Sequence, residues 1–264
     1  MKSSVAAPVD VKLMNLAVAV LVLVLLALCA VATVRSVSRA RAFDIQGITV
    51  IGDSRHNNSL TLRANVAPRI AGTFFTVDLA RVRAAFEAAP WVRRAVVHRE
   101  YPNRLRVTLQ EHEPVALWSG EAGQGDARLV NSFGEVFEAN LGEVDQDSLP
   151  MLSGPDGQSA DVLAMYRAIA PLFTGMDMAV EQLDLSVRGS WSVRLDAGAE
   201  IELGRGSIDD VTARVDRFLK TLTQVVSRYG RAANAIESAD LRHENGYAIR
   251  LRGVSTTQPE LAKK

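Results

Sequence analysis

The sequence predicts an α+β protein anchored by one N-terminal transmembrane helix, with a small strand-helix-helix-strand-strand unit followed by a mixed β domain with packed helices. Three observations carry this. Residues Leu13–Val34 contain no charge. The region behind them mixes helical spacing with two-residue alternation. The first folded region reads β-α-α-β-β, a small sheet with helices on one face.

The uncharged run LMNLAVAVLVLVLLALCAVATV would extend ~33 Å as a helix at 1.5 Å per residue, enough to cross a bilayer core. A cleaved signal is the rival reading, since Lys2 and Lys12 supply a basic start and Ala30-Val31-Ala32 resembles a cleavage site. The run exceeds the ~7–15 apolar residues usual for signals. A lipoprotein reading fails at Leu28, where a small residue would precede Cys29. Arg35, Arg39 and Arg41 behind the span outnumber Lys2 and Lys12 before it. A long C-terminal domain translocates largely regardless of flanking charge, so residues 1–12 are placed in the cytoplasm, 13–34 in the membrane and the remainder outside. Residues 35–42 then form a short polar connection.

In residues 43–112 the expected order is β-α-α-β-β. Phe43, Ile45, Ile48, Val50 and Ile51 suggest a strand interrupted near Gly47. Ser59 could cap a short helix over Leu60–Val66, and Asp78 opens a second, in which Leu79, Val82 and Phe86 fall at helical spacing. Pro90 ends it. The stretch from Trp91 to Trp118 reads as two strands joined at Tyr101-Pro102-Asn103, with Leu105, Val107 and Leu109 on one face and the arginines on the wet one.

Residues 113–252 form the second region. A hairpin turns around Ser132-Phe133-Gly134, LPMLSGPDG reads as a loop, and a helix covers Ala160–Phe173. Strands follow in EQLDLSVRG, SWSVRLDAG and EIELG, then an amphipathic helix from Ile208 to Tyr229 capped by Ser207 and Asp210. Its apolar face is Val211, Val215, Phe218, Leu219, Leu222 and Val225. A last hairpin is expected to turn at Asn245-Gly246, with Tyr247, Ile249 and Leu251 on one side and Ala248, Arg250 and Arg252 on the other. Residues 253–264 are a polar tail.

Lys plus Arg equals Asp plus Glu, so the net charge is zero and no polyelectrolyte attraction to nucleic acid is implied. With Cys29 as its one cysteine, the chain forms no intramolecular disulfide. His98, Glu111, His112 and Glu113 lack the spacing of a zinc motif. Gly204-x-Gly206 lacks the third glycine and the surrounding βαβ unit of a dinucleotide loop, and reads as a strand-to-helix turn. Neither the serines nor the histidines compose a nucleophile motif. No catalytic residue, cofactor or metal is expected. The last hairpin has two readings: an ordinary solvated sheet edge, or a terminal strand that offers its backbone to a partner strand.

FDIQGITVIG, APWVRRAVVHREYPNRLRVTLQEHEPVALW, LVNSFGEVF, LPMLSGP, RGSWSVRL, EIELGRG and SADLRHENGYAI, in this order after one span, resemble the FtsQ/DivIB family of bacterial cell-division proteins. The resemblance implies a bitopic inner-membrane protein with a periplasmic POTRA domain over 43–112, a β domain over 113–252, and no catalysis. It implies a divisome scaffold at the septum that binds FtsB, and with it FtsL, through the C-terminal part of the β domain and helps regulate septal peptidoglycan synthesis. Other division proteins would meet the POTRA domain. On matching positions Arg188 and Arg242 would be polar anchors, and His243, Glu244, Asn245, Gly246, Tyr247, Ala248, Ile249, Arg250 and Leu251 would form the augmentable edge. The family usually has tyrosine where His243 stands. A POTRA-bearing export chaperone that binds extended peptides near Ile45–Val50 is the alternative.

Overall fold

The computed structural model describes residues 9–52, 55–56, 62, 66, 68, 70–120, 127–243 and 246–254. The chain divides into two units, Met1–Glu111 and His112–Lys264.

The first unit begins with helix α1, Val9–Ser38, whose segment Leu13–Ser38 has a mean hydropathy of 3.1 and is nowhere buried. A helix that is apolar on every side and covered by nothing suits lipid surroundings. It continues through Arg35–Ser38, expected as part of the connection; no proline or glycine interrupts RSVS. A short 3-10 turn, Arg41–Phe43, leads to β1, Gly47–Gly52, so the first strand starts at Gly47 rather than at Phe43. Asp44 instead bridges to Thr73. Leu62 and Val66 are helical and buried, while the rest of the expected Leu60–Val66 helix, with its cap at Ser59, lies outside the described residues. Helix α2, Leu79–Glu87, starts where Asp78 accepts hydrogen bonds from the backbone of Ala80 and Arg81, and it buries Val82 and Phe86.

Strands β2, Val92–Glu100, and β3, Arg104–Glu111, complete a three-stranded sheet in the order β1-β3-β2, with β1 parallel and β2 antiparallel to β3. Leu105, Val107 and Leu109 face the core with Phe86, while Arg104, Arg106 and Thr108 face solvent, as the two-residue period requires. The stretch from Trp91 to Trp118 holds three strands and not two. Its last piece, β4, Pro114–Trp118, belongs to the second unit.

The second unit is a nine-stranded sheet in the order β12-β11-β10-β9-β8-β7-β4-β5-β6. Its remaining strands are β5 (Arg128–Asn131), β6 (Val136–Phe137), β7 (Met151–Ser153), β8 (Val180–Leu185), β9 (Trp191–Leu195), β10 (Glu200–Gly204), β11 (Ile236–Asp240) and β12 (Ala248–Leu251). β7 falls in LPMLSGPDG, expected as a loop; three residues are too few to show a period, and its parallel pairing with β4 and β8 holds it as a strand. Helices α3, Ser159–Thr174, and α4, Ile208–Ser227, share one core with the sheet. α4 begins with a reciprocal capping box between Ser207 and Asp210. Its buried face ends on Val226, with Val225 half-exposed beside it.

Candidate partner-docking edge

β12 is the terminal strand of the large sheet and pairs with β11 through Asp240↔Ala248, Ala239↔Ile249 and Ser238↔Arg250. This register moves the centre of the connection away from Asn245-Gly246. Strand pairing stops at Asp240 and Ala248, a register that a two-residue turn at Asn245-Gly246 would not give. Glu244 and Asn245 lie outside the described residues.

The open side of β12 can be assigned from two hydrogen bonds. Leu241 N–H donates to Glu202 O at 2.8 Å, so Ala239 also faces β10, and Ser238 and Asp240 face β12. Arg252 N–H donates to Ala235 O at 2.8 Å on the inner side of β12. Because alternate residues in an antiparallel strand point their backbone groups the same way, Ala248 and Arg250 bond inward and Ile249 points its N–H and C=O outward. Among the described residues no strand pairs with that outer side.

The side chains alternate as expected. Tyr247, Ile249 and Leu251 pack toward the core, and Ala248 and Arg250 are exposed. Tyr247 is fixed from behind: its ring meets Phe218 edge to face at 4.9 Å and its hydroxyl lies 2.9 Å from that of Thr221, both on α4. It therefore supports the strand. Arg250 reaches Glu237 on β11 at 3.3 Å, and Arg252 donates to the carbonyl of Ala197.

Arg242 does not project as an unattached anchor. Its Nε donates to Asp240 Oδ1 at 2.9 Å and its Nη2 to Oδ2 at 2.5 Å, while its backbone N–H also reaches Oδ1. These bonds from Arg242, opposed by desolvation, hold the Asp240 carboxyl down at about 2. The Arg242 side chain remains over half exposed, at 57%, so it is oriented and still reachable. Gly204 makes room for its stem: a Cβ there would lie 3.0 Å from Arg242 Cγ, and the residue has φ +79°. Arg214 on α4 braces the same turn by donating to the carbonyls of Leu203 and Arg205. Gly204-x-Gly206 is thus a strand-to-helix turn that seats an arginine; contrary to expectation a βαβ unit does surround it, since β10 and β11 pair in parallel across α4, and the reading as a turn rests on these contacts and on the missing third glycine.

Arg188 lies exposed in the β8–β9 turn, which is closed by Gly189 N–H to Ser186 O at 2.8 Å. The pairings Leu185↔Trp191, Trp191↔Gly204 and Glu202↔Asp240 put that turn, the Gly204 turn and Arg242 at one end of the sheet. With strands ~4.8 Å apart, Arg188 and Arg242 are separated by β9 and β10, roughly 10–15 Å across the edge of the sheet. His243 and Gly246 are exposed on the same loop as Arg242. Sequence reasoning missed Asp240 and the part Gly204 plays beside Arg242. The D-x-R spacing in SADLRH was the available signal for the first; the second was already read as part of a strand-to-helix turn, but nothing in EIELGRG signals that it seats Arg242.

The groups weighed for metal or catalytic chemistry have structural duties. Glu111 is buried and accepts from the backbone N–H groups of Arg55 and His56 at 2.9 and 3.1 Å. His112 stacks on Phe137 at 4.1 Å and contacts Asn131, and His98 lies opposite Arg106 in the β2–β3 ladder.

Comparison with known proteins places this geometry in a family. Residues 43–112 match the family "POTRA domain, FtsQ-type", and residues 116–242 match "Cell division protein FtsQ/DivIB, C-terminal". The second match stops at Arg242, before β12. The chain is 41% identical over 246 residues to the cell division protein FtsQ of Burkholderia pseudomallei, covering 93% of this chain and 94% of the relative. It is 39% identical over 248 residues to that of Thiomonas arsenitoxydans, covering 94% and 89%. A solved structure, POTRA1-2 of the periplasmic domain of Omp85 from Anabaena, is similar at 12% identity and a TM-score of 0.23, over 58% of this chain and 93% of that one, a likeness too distant to carry an argument. The chain belongs to the FtsQ/DivIB family of cell-division proteins.

Proposed function

We propose that this chain is a non-enzymatic scaffold of the division machinery, carried in the inner membrane by α1 with its N-terminus cytoplasmic and both folded units periplasmic, at the septum. It binds an FtsB-like partner, and FtsL with it, by accepting an extended segment along β12, and through that contact helps regulate septal peptidoglycan synthesis. The observation that supports this reading most directly is the outward-facing backbone of Ile249 on a terminal strand beside an arginine already oriented by Asp240. Backbone bonds along the strand supply affinity, and Arg242 and Arg188 select a segment with matching carboxylates. Affinity for an FtsB-derived peptide, measured with the full chain in nanodiscs, tests it. Arg242→Ala and Arg188→Ala should each weaken binding several-fold, and unchanged affinity in both would refute the arginine anchors.

A second reading, capture of extended peptides at the POTRA unit, has one feature in its favour. β1 is also a terminal strand, and a groove of about 360 Å³ lined by Asp44, Ile45, Gln46, Gly47, Ile48 and Ile70 runs beside its start. It predicts binding that ignores changes in β12.

A further inference from the structure

Four aromatic rings gather in the first unit just beyond the end of α1. Phe43 meets Phe75 edge to face at 4.8 Å, Phe75 meets Phe74 at 5.2 Å, and Phe74 meets Tyr101 at 6.2 Å. Phe75 is 50% exposed and Tyr101 78%, so the cluster turns its outer rings to the surroundings. The backbone that presents them is held at several points. Phe74 N–H donates to Phe43 O at 2.7 Å, and the Arg99 guanidinium clamps the carbonyls of Phe74 and Val77 at 2.7 and 2.8 Å. A segment fixed in this way cannot turn its rings inward to escape water.

The cluster is also tied to the membrane helix. The hydroxyl of Thr73 donates to Ser38 O, the last residue of α1. The uncharged stretch ends at Val34, and the residues from there to Ser38 rise ~6 Å at 1.5 Å each. The headgroup layer beyond a ~30 Å hydrocarbon core is of the same thickness, ~5–8 Å per side. Thr73 and the rings beside it therefore stand at the depth where aromatic side chains concentrate in membrane proteins. Arg39 and Arg41 are exposed on the same short segment and suit lipid phosphates, with Asp44 the nearest opposing charge along the chain.

We infer that the Phe43, Phe74, Phe75 and Tyr101 cluster seats the first unit on the surface of the bilayer that α1 crosses. The rings enter the boundary between headgroups and acyl chains, and Arg39 and Arg41 bind phosphates above them. The unit is then held against the membrane, and the tether after α1 does not leave it to swing. This site is separate from the β12 edge and stands or falls without it.

The test uses the full chain with Cys29→Ala and Ala71→Cys, spin-labelled at the new cysteine and reconstituted in vesicles of phosphatidylethanolamine and phosphatidylglycerol. Ala71 is exposed and adjoins the cluster. Collision with oxygen against a water-soluble nickel chelate reports the depth of the label. The expected result is a label at headgroup depth, moved into water by Phe75→Ser with Tyr101→Ser and kept in place by Phe75→Trp. A label in water in the unsubstituted chain overturns the inference and leaves the rings to a protein partner. A label that stays at depth after both serine substitutions also overturns it, because the tether alone then accounts for its position. A chain that fails to float with the vesicles overturns the membrane span as well.

Discussion

Asp240 and Arg242 form a two-point ion pair across a single intervening residue, at 2.9 and 2.5 Å, where β11 ends and the loop toward β12 begins. Leu241, between them, is buried and bonds to β10, so the pair straddles a fixed point. The arginine that a partner would meet is thus set by its own chain before any partner arrives. Less side-chain freedom then remains to be lost on docking.

The carboxyl of Asp240 should titrate with a midpoint of about 2 in a carbon-detected NMR pH series, below its ordinary value of 3.8. The sign follows from linkage. A depressed carboxyl stabilises the fold fully above its unfolded value, and that contribution is lost as the pH falls through about 2. Arg242→Ala should return the midpoint toward the ordinary carboxylate range. An unchanged midpoint in that variant would mean the hydrogen bonds from Arg242 are not the cause.

Gly204→Ala should destabilise the second unit by ~1–2 kcal/mol, the cost of a left-handed backbone for an ordinary residue. The added methyl carbon would also crowd Arg242 Cγ and Arg214 Nη1, at 3.0 and 3.3 Å. Urea unfolding of the full chain in detergent measures the loss. A matched fall in affinity for the partner peptide would show that the seat of Arg242 matters to docking, beyond stability.

Periodic stretches were legible in the sequence and irregular ones were not. The apolar positions of α4 and the alternation in Leu105, Val107 and Leu109 needed no tertiary knowledge, because burial on one face is the period itself. β7 was hidden because parallel neighbours far along the chain, and no local pattern, make Met151–Ser153 a strand. The Asn245-Gly246 pair suggested a tight turn, yet β11 bonds to β10 on its other side, and that pairing leads Leu241 away from β12. At the proposed docking edge, the residue types were readable from family resemblance. Which of Ala248 and Ile249 turns its N–H outward depends on strand pairing, which no single segment encodes.

Tyr247 should behave as a brace for β12. Tyr247→Phe removes one bond to Thr221 and should cost ~0.5–1.5 kcal/mol, while keeping the edge-to-face contact with Phe218. Tyr247→Ala removes both and should speed amide hydrogen exchange at Ala248 and Arg250, whose donors face β11, well beyond the effect of the phenylalanine variant. If a partner instead grips the ring directly, Tyr247→Ala would weaken peptide binding while leaving that exchange unchanged.

The direction of the backbone on β12 separates two proline substitutions. Ile249→Pro removes a donor that faces away from β11, a position that edge strands tolerate, so the hairpin should persist with a modest loss from the half-buried side chain. Ala248→Pro removes an inward donor opposite Asp240 and should loosen the hairpin itself. Peptide affinity and the thermal unfolding midpoint, measured together, distinguish the cases. Ile249→Pro is expected to weaken binding more than tenfold, about 1.4 kcal/mol or more, with little change in unfolding, and Ala248→Pro to lower both. Near-normal affinity in a folded Ile249→Pro chain would mean that no partner strand bonds to the outer side of β12, and docking would then have to rest on side chains such as Arg188 and Arg242 alone.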